Sequence, residues 1–224
     1  MEKKADISCK LCNEQQSCRK HSLPKDDIVE VDFEQSLVDY KDFTHAAHGM
    51  LYTLQQGKFE GNSQKANILM VARFDGALGF PGGILDPTDL DAADGLNREM
   101  QEEIALDLNK HKFVQTDHVF SHVVTSEKLV THFYAKMLKL DDYHQVEARV
   151  ATAADWSTET LGFLRVPLYI MSDKLRGLPI FLANQFSGNA RMQLVGAIDK
   201  CQIMKKEELD LALQTAEKTV KAVK

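Results

Sequence analysis

The chain has 224 residues, of which 44% are hydrophobic and 27% charged, and its formal net charge is −6 at pH 7. These values predict one substantial globular domain with a sizeable core rather than two full domains. The acidic balance argues against a protein that coats nucleic acid, because such proteins cluster Lys and Arg to neutralise phosphates. An enzyme that binds one nucleotide at the end of an RNA is compatible with the acidic net charge. No apolar run approaches the roughly 18 residues of a membrane span, so no membrane contact is expected.

The first 30 residues differ from the rest of the chain. They are polar, and they contain three of the four cysteines, so we predict an N-terminal extension that is disordered or a small Cys-rich element. Cys9, Cys12, Cys18 and His21 are four groups of the kinds that bind zinc, and the Cys-x-x-Cys spacing is typical of zinc ligands. The remaining spacing matches no familiar zinc module. A structural zinc and a tail with free thiols therefore both stay open.

Residues 31–224 are predicted to form the main domain. Apolar runs and alternation predict strands at 43–52, 68–72, 119–124, 129–138 and 162–168, with a surface connection over the polar residues 55–65. Helical periodicity predicts helices over 92–104, 142–154, 190–202 and 205–223, and Asp91 is placed to cap the first of them. This mixture predicts an α/β domain in which a sheet is flanked by helices.

The predicted helix 92–104 carries a row of carboxylates. Its buried stripe is formed by residues spaced by four, namely Leu96, Met100 and Ile104. Glu99 and Glu103 lie beside that stripe, and Glu102 continues the arc outward. Hard cations such as Mg²⁺ and Mn²⁺ prefer carboxylate oxygens, so the arc could bind metal. A solvated acidic face would give the same pattern, and the helix alone does not decide between the two.

A glycine-rich loop precedes this helix. Residues 79–83 read Gly-Phe-Pro-Gly-Gly, a turn where backbone can approach a ligand closely. The loop and helix together resemble the Nudix signature, carried here by Gly83, Asp89, Arg98, Glu99, Met100, Glu102 and Glu103. Three features depart from the general pattern: Asp89 replaces glutamate, the gap to Arg98 is one residue longer, and Ala105 replaces glycine. The first two affect the loop, whereas Ala105 puts the geometry of the helix end in doubt.

Further segments narrow the resemblance. The sequences at 73–83, 94–99, 132–136, 165–169 and 177–182 resemble the U8 snoRNA-decapping enzymes, a Nudix subfamily also described as inosine diphosphate phosphatases. The resemblance covers about residues 40–200. It implies the Nudix fold, a mixed β-sheet sandwiched between α-helices, and a homodimer in the nucleus (nucleolus and nucleoplasm) and the cytoplasm. It also implies two or more Mg²⁺ or Mn²⁺ ions and hydrolysis of phosphoanhydride bonds in purine nucleotides and the caps of RNA.

The resemblance assigns roles to individual positions. Nucleotide contacts fall on His48, Arg73, Phe80 and Gln193; metal binding falls on Gly82, Glu99 and Glu103; catalysis falls on Glu102 and Glu103, with Arg98 holding a glutamate in place. The chemistry of the side chains agrees, since Phe80 offers a face for stacking, Arg73 can clamp phosphate and Gln193 can read a purine edge. A core aromatic and a plain surface arginine are the ordinary alternatives. His122 is a further candidate, either for proton transfer or for positioning.

Three functions follow from these residues. The first is a metal-dependent hydrolase that removes RNA caps and cleaves (deoxy)inosine diphosphate. The second is a small-molecule nucleotide phosphatase without an RNA role, which the acidic net charge mildly favours. The third is a cap-binding module without catalysis. The intact Glu99, Glu102 and Glu103 argue against the third, because non-catalytic members usually lose such acids.

Overall fold

The computed structural model describes residues 27–59 and 61–223. Within these ranges the chain forms one sheet of eight strands. The strands are β1 (Ile28–Val31), β2 (Thr44–Phe59), β3 (Asn62–Arg73), β4 (Leu78–Gly79), β5 (Gly82–Ile84), β6 (His118–Val124), β7 (Leu129–Met137) and β8 (Thr160–Arg165). The α-helices are α1 (Phe33–Asp39), α2 (Ala92–Ile104), α3 (Leu108–His111), α4 (Leu140–Arg149), α5 (Leu178–Phe181), α6 (Ala190–Lys200) and α7 (Lys206–Val223).

The sheet is mixed. Its main strand order is β1-β6-β7-β2-β3-β4, while β5 pairs with β2 and β8 pairs with β3. The central pair, β2 and β7, is parallel, and the other pairs are antiparallel. Since side chains alternate across a strand, β2 contributes to both faces. On one face Ala47 and Leu51 pack with α2 and α4; on the other Met50 packs with α5, α6 and α7. The predicted sandwich of a mixed sheet between helices is confirmed.

Most predicted elements lie within two or three residues of their observed bounds, but the polar segment 55–65 was predicted wrongly. The backbone of β2 continues to residue 59, and β3 begins at residue 62, so the two strands form a long hairpin. The residues of this hairpin are polar and lack the alternation of hydrophobic residues that predicts a strand. Backbone hydrogen bonds between strands form without that alternation. The short elements β1, α1, α3 and α5 were not predicted. The sheet begins at Ile28, inside the stretch set apart as an extension; Cys9, Cys12, Cys18 and His21 lie outside the described residues.

Three histidines tie the strands of the site together. The Nε2 of His45 lies 3.1 Å from the carbonyl oxygen of Tyr40, to which it can only donate, so its Nδ1 accepts from Nε2 of His132 at 2.9 Å. The Nδ1 of His132 then accepts from the hydroxyl of Ser121, which lies 2.9 Å from Nε2 of His118. Burial lowers the pKa of His132 to about 3, so the ring of His132 is neutral, and the chain of hydrogen bonds joins β2, β7 and β6.

The two ends of α2 are capped in different ways. The carboxylate of Asp91 accepts a hydrogen bond from the backbone N–H of Asp94 at 2.8 Å, which confirms the predicted N-cap. At the other end Ala105 adopts the left-handed conformation, with φ 52° and ψ 40°. The N–H of Ala105 bonds the carbonyl of Gln101, which is the 5→1 bond of a left-handed helix cap, and the N–H of Leu106 bonds the carbonyl of Met100. The helix therefore ends as a glycine would end it, although the residue is alanine.

We expect Ala105→Gly to stabilise the protein by roughly 0.5–1 kcal/mol. The left-handed conformation costs a residue with a Cβ about 1–2 kcal/mol, and the greater freedom of glycine in the unfolded chain returns part of that gain. Urea unfolding would measure the change. Ala148→Gly, on the exposed side of α4, is the matched control and should destabilise by about 0.5–1 kcal/mol. Equal losses in both variants would contradict the strain assigned to Ala105.

Candidate active site

The glycine loop is held against β2. Gly82 and Gly83 begin β5 and pair antiparallel with His48 and Ala47. The φ of Gly82 is +132°, and a Cβ there would lie 2.2 Å from the carbonyl oxygen of Ala47. At Gly83 a Cβ would lie 2.8–2.9 Å from the three carboxylate atoms of Glu99. Neither position accepts a side chain as built, because one touches backbone and the other takes the space in front of Glu99.

Arg98 organises the acids of the α2 surface. Its Nη1 donates to Oε1 of Glu99 at 2.7 Å and to Oε2 of Glu102 at 3.2 Å. Its other nitrogens reach both carboxylate oxygens of Asp89 and the carbonyl oxygen of Ile84. The bonds to Asp89, first among several, raise the pKa of Arg98, so the guanidinium stays charged. This geometry is the one expected if Arg98 holds Glu99 and Glu102 in place. Asp89 bonds Arg98 from the loop, although its side chain is one carbon shorter than the glutamate of the general pattern.

Glu103 lies behind the loop rather than in the open pocket. Its side chain is buried, and its Oε2 accepts a hydrogen bond from the backbone N–H of Gly82 at 3.0 Å. Burial is the main cause that raises the pKa of this carboxyl to about 7, while the Gly82 bond opposes the shift. Glu99, half-buried in the same arc, has its pKa raised for the same first reason. Glu103 therefore positions Gly82 directly.

A cavity of about 800 Å³ opens in front of these groups. One part of its wall is charged and comes from α2, the end of β3 and the loop before β8: Arg73, Arg98, Glu99, Glu102, Asp155 and Glu159. The other part is uncharged and comes from β2, β7, the glycine loop and the start of α6, including His48, Phe80, Thr131, Asn189 and Gln193. A ligand with a charged portion and a polar but neutral portion would match this division.

The four predicted nucleotide-binding residues all line this cavity. His48 has a buried Nδ1 with no hydrogen-bond partner among the described residues, and burial lowers its pKa to about 4, so the ring is neutral. Gln193 is 1% exposed, and its Nε2 also has no partner in the described part of the chain. Arg73 lies 3.5 Å from Asp75 in a weak ion pair. Phe80 is 3% exposed and packs edge-on against Phe133, so it serves the core and the wall together.

The sequence analysis missed several lining residues, among them Asp155, Glu159, Thr131 and Asn189. Asp155 and Glu159 sit in an irregular loop with no motif, and the backbone N–H of Asp155 bonds the carbonyl of Glu102 at 3.0 Å, which brings the loop to α2. Thr131 and Asn189 lie 58 residues apart and meet only in the fold. No local spacing signals any of them. His122, in contrast, was a candidate, yet it is absent from the cavity lining and packs against Phe120 on β6.

The donor set suits a hard divalent cation. Four carboxylates face the cavity against two guanidinium groups, and oxygen ligands of this kind are those that Mg²⁺ and Mn²⁺ prefer. Gly83 keeps the face of Glu99 open. Across residues 27–59 and 61–223, no three acidic, His or Cys side chains are already grouped as a metal shell. Arg98 instead bridges Glu99 and Glu102, so a metal would exchange with that contact.

The fold and the site together define this chain as a Nudix hydrolase, which confirms the predicted class of enzyme. The model of the Nudt16-like family, described as U8 snoRNA-decapping enzyme-like, matches residues 45–204. The chain belongs to that family. The match spans the sheet from β2 onward, the glycine loop, α2 and α6, so it contains every residue of the cavity named above.

Relatives carry two kinds of name. The U8 snoRNA-decapping enzyme of Mus musculus is 41% identical over 175 residues, which are 78% of this chain and 90% of the mouse protein. The Tudor-interacting repair regulator protein of Homo sapiens is 38% identical over 184 residues, or 81% of this chain and 85% of the human protein. Among solved structures, a mutT/nudix family protein from Listeria innocua has a TM-score of 0.48 at 13% identity, covering 71% and 94% of the two chains. No helix in the described ranges is long and apolar enough to cross a membrane.

Proposed function

We propose that this chain is a metal-dependent hydrolase that cleaves the phosphoanhydride bond of purine nucleotides and of the nucleotide cap of RNA. The observation that carries the proposal is the divided cavity, with acids on one part of the wall and neutral hydrogen-bonding groups on the other. A nucleoside diphosphate or a cap has this polarity, with phosphates at one end and a base at the other. The decapping enzymes to which the chain is similar supply the RNA half of the proposal.

Metal binding is assigned to Glu99, Glu103 and Gly82. A bound Mg²⁺ or Mn²⁺ pair would neutralise phosphate oxygens and acidify a water. Arg98 orients Glu99 and Glu102, and Glu103 fixes the loop through the Gly82 amide. Arg73, weakly paired with Asp75, is free to turn its guanidinium to a phosphate. The neutral ring of His48 can form one hydrogen bond to the substrate, and because it is uncharged it does not repel Arg73.

The reaction consumes one water for each bond broken. Inosine diphosphate would give inosine monophosphate and phosphate, and a capped RNA would give a cap nucleotide and an RNA with a 5′ phosphate. The proton of the attacking water passes to a carboxylate of the cavity and then to solvent. Glu102, Asp155 and Glu159 are the candidates for this step, since each lines the cavity without being assigned to metal.

Product analysis tests the proposal. We expect Mg²⁺- or Mn²⁺-dependent conversion of inosine diphosphate, capped RNA, NAD-capped RNA or ADP-ribose, followed by mass spectrometry of the products. Chelation with EDTA should stop turnover, and excess Mg²⁺ should restore it, whereas circular dichroism should show an unchanged fold in both states. Activity on nucleotides but not on any capped RNA would favour the small-molecule phosphatase. Turnover that persists in EDTA would contradict metal dependence.

A second candidate function is binding without hydrolysis. The 38% identity to relatives whose name, Tudor-interacting repair regulator protein, states an interaction and no hydrolysis is the observation that favours it. In that case the cavity would bind nucleotides. None of inosine diphosphate, capped RNA, NAD-capped RNA and ADP-ribose would then be hydrolysed with any metal. The retained acids of α2, with Arg98 positioned to hold two of them, favour the enzyme instead.

The oligomeric state and cellular location are part of the proposal. The resemblance to the decapping enzymes supports a homodimer, and the small nucleolar RNA in the name of these relatives supports a nuclear and nucleolar pool beside a cytoplasmic one. Light scattering after size exclusion and imaging of a tagged chain would test them. Zinc at Cys9, Cys12, Cys18 and His21 stays a prediction, which metal analysis of the purified full chain would test.

A further inference from the structure

The turn that joins β3 to β4 fixes the carboxylate of Asp75. The backbone N–H of Arg73 donates to the carbonyl oxygen of Ala77 at 3.0 Å, and the N–H of Gly76 donates to the carbonyl oxygen of Arg73 at 2.9 Å. Inside this turn Oδ1 of Asp75 accepts a hydrogen bond from the backbone N–H of Ala77 at 3.0 Å, which is the bond of an Asx turn. The turn therefore uses one oxygen of Asp75 and leaves the other, Oδ2.

The second oxygen of Asp75 contacts Arg73. Its Oδ2 lies 3.5 Å from Nε of Arg73, and the two side chains are 33% and 26% exposed. This Nε is buried and makes no hydrogen bond within the described ranges, so the contact is an ion pair rather than a hydrogen bond. Arg73 lines the cavity, whereas Asp75 is absent from its lining. Asp75 thus contacts the arginine from outside the cavity.

Two further contacts confine the side chain of Arg73. Its Cδ passes over Gly79, where an added Cβ would lie 3.1 Å away from it. Its guanidinium carbon lies 5.5 Å from the centre of the Phe74 ring. These contacts involve the stem, the ring-facing side and Nε of the arginine. They leave the two terminal nitrogens, Nη1 and Nη2, as the pair of donors that a phosphate accepts from in bidentate fashion.

The acids of the cavity compete for the same guanidinium. Four carboxylates line the wall to which Arg73 belongs: Glu99, Glu102, Asp155 and Glu159. A guanidinium that turned toward them would gain Coulomb energy in a partly buried site, and its terminal nitrogens would no longer be available to a ligand. Asp75 provides an opposing negative charge outside the cavity, and the bond from the Ala77 N–H holds that charge in place.

We propose that Asp75 is a positioning residue, which holds Arg73 from outside the cavity and keeps its terminal nitrogens available to the phosphate of a bound nucleotide. The proposal rests on the nucleotide-binding function proposed above and adds to it a residue outside the cavity. Asp75 acts only through Arg73. Its effect on binding therefore requires both the charge of Arg73 and a ligand that carries phosphate, whereas a role in the stability of the turn requires neither.

Isothermal titration calorimetry with inosine monophosphate and inosine, in the presence of Mg²⁺, separates these two roles. Asp75→Asn keeps an oxygen that can accept from the Ala77 N–H but removes the charge. It should weaken the binding of inosine monophosphate by about fivefold, the upper range for a partly exposed ion pair, and change that of inosine by less than about twofold. In an Arg73→Met background the same substitution should change the Kd of inosine monophosphate by less than about twofold.

Asp173→Asn is the matched control. Oδ1 of Asp173 accepts from the backbone N–H of Leu175 at 3.0 Å, and its Oδ2 pairs with Nε of Arg176, so this carboxylate has the same kind of arrangement outside the cavity lining. The control should leave both Kd values unchanged. Asp75→Ser, whose hydroxyl can also close the turn, takes the place of Asp75→Asn if thermal melts show that the latter does not fold.

The outcomes separate this inference from the proposed function. Unchanged binding of inosine monophosphate in the folded variant overturns the role of Asp75, and so does an equal loss for inosine or an equal loss in the Arg73→Met background. A loss that requires both the phosphate and Arg73 supports the inference. Failure to hydrolyse any diphosphate would then count against the catalytic proposal alone. If the natural chain bound inosine monophosphate no more tightly than inosine, the phosphate contact of Arg73 and the role of Asp75 would both be wrong.

Discussion

Glu99→Gln is expected to lower kcat/KM by about a thousandfold, which corresponds to roughly 4 kcal/mol of transition-state stabilisation. The change replaces one anionic oxygen by an amide of the same size at the point where Gly83 leaves the carboxylate face open. Arg98 keeps its bonds to Asp89 and Glu102, so the fold should survive. Steady-state kinetics on inosine diphosphate with Mg²⁺ would measure the loss, beside thermal melts.

Two further variants sharpen this test. Glu103→Gln should also abolish activity while keeping the fold, because its amide oxygen can still accept from the Gly82 N–H. Glu207→Gln, on the exposed first turn of α7, is the matched control and should behave as the natural chain does. Near-normal turnover in either Glu99→Gln or Glu103→Gln would contradict the assignment of that residue as a metal ligand.

Gly82→Ala is expected to destabilise the protein by about 3 kcal/mol or more. The added Cβ would meet the Ala47 carbonyl oxygen at 2.2 Å and the His48 Cα at 2.7 Å. Both atoms belong to the backbone of β2 and cannot rotate away. At φ +132° an alanine is strained in addition. The strand β5 would have to leave β2, which would carry Gly83 away from Glu99, so activity should fall with stability.

Urea unfolding would measure this loss through a lower midpoint. Gly162→Ala is the control, because a Cβ at this position in β8 has no neighbour within 4 Å. It should leave stability unchanged or raise it by up to about 1 kcal/mol, because alanine has less freedom than glycine in the unfolded chain. If Gly82→Ala unfolded at the same urea concentration as the natural chain, the close approach of the glycine loop to β2 would be wrong.

The helix at the centre of the site could be predicted from the sequence because its signals are local. Asp91 caps the residue three positions on, and Leu96, Met100 and Ile104 repeat every four residues and are fully buried. The same periodicity placed Glu99 and Glu103 on one flank. The end of α2 was the exception. Alanine at position 105 gives no signal of a left-handed residue, and the helix ends there with hydrogen bonds from Ala105 to Gln101 and from Leu106 to Met100.

The sequence by itself therefore determined the acidic helix and the glycine loop, since these depend on spacing within about twenty residues. The resemblance of its motifs to a known family supplied the class of the protein and the candidate nucleotide contacts. The tertiary structure decided which residues lie opposite the acidic helix and the glycine loop. It brought Asp155 and Glu159 to the acids of α2, directed Glu103 at Gly82, and turned the side chain of Asn189 away from its helix toward Thr131. These contacts join segments from 21 to 58 residues apart. No local propensity encodes such pairings, because they form only when the sheet and the helices pack around one cavity.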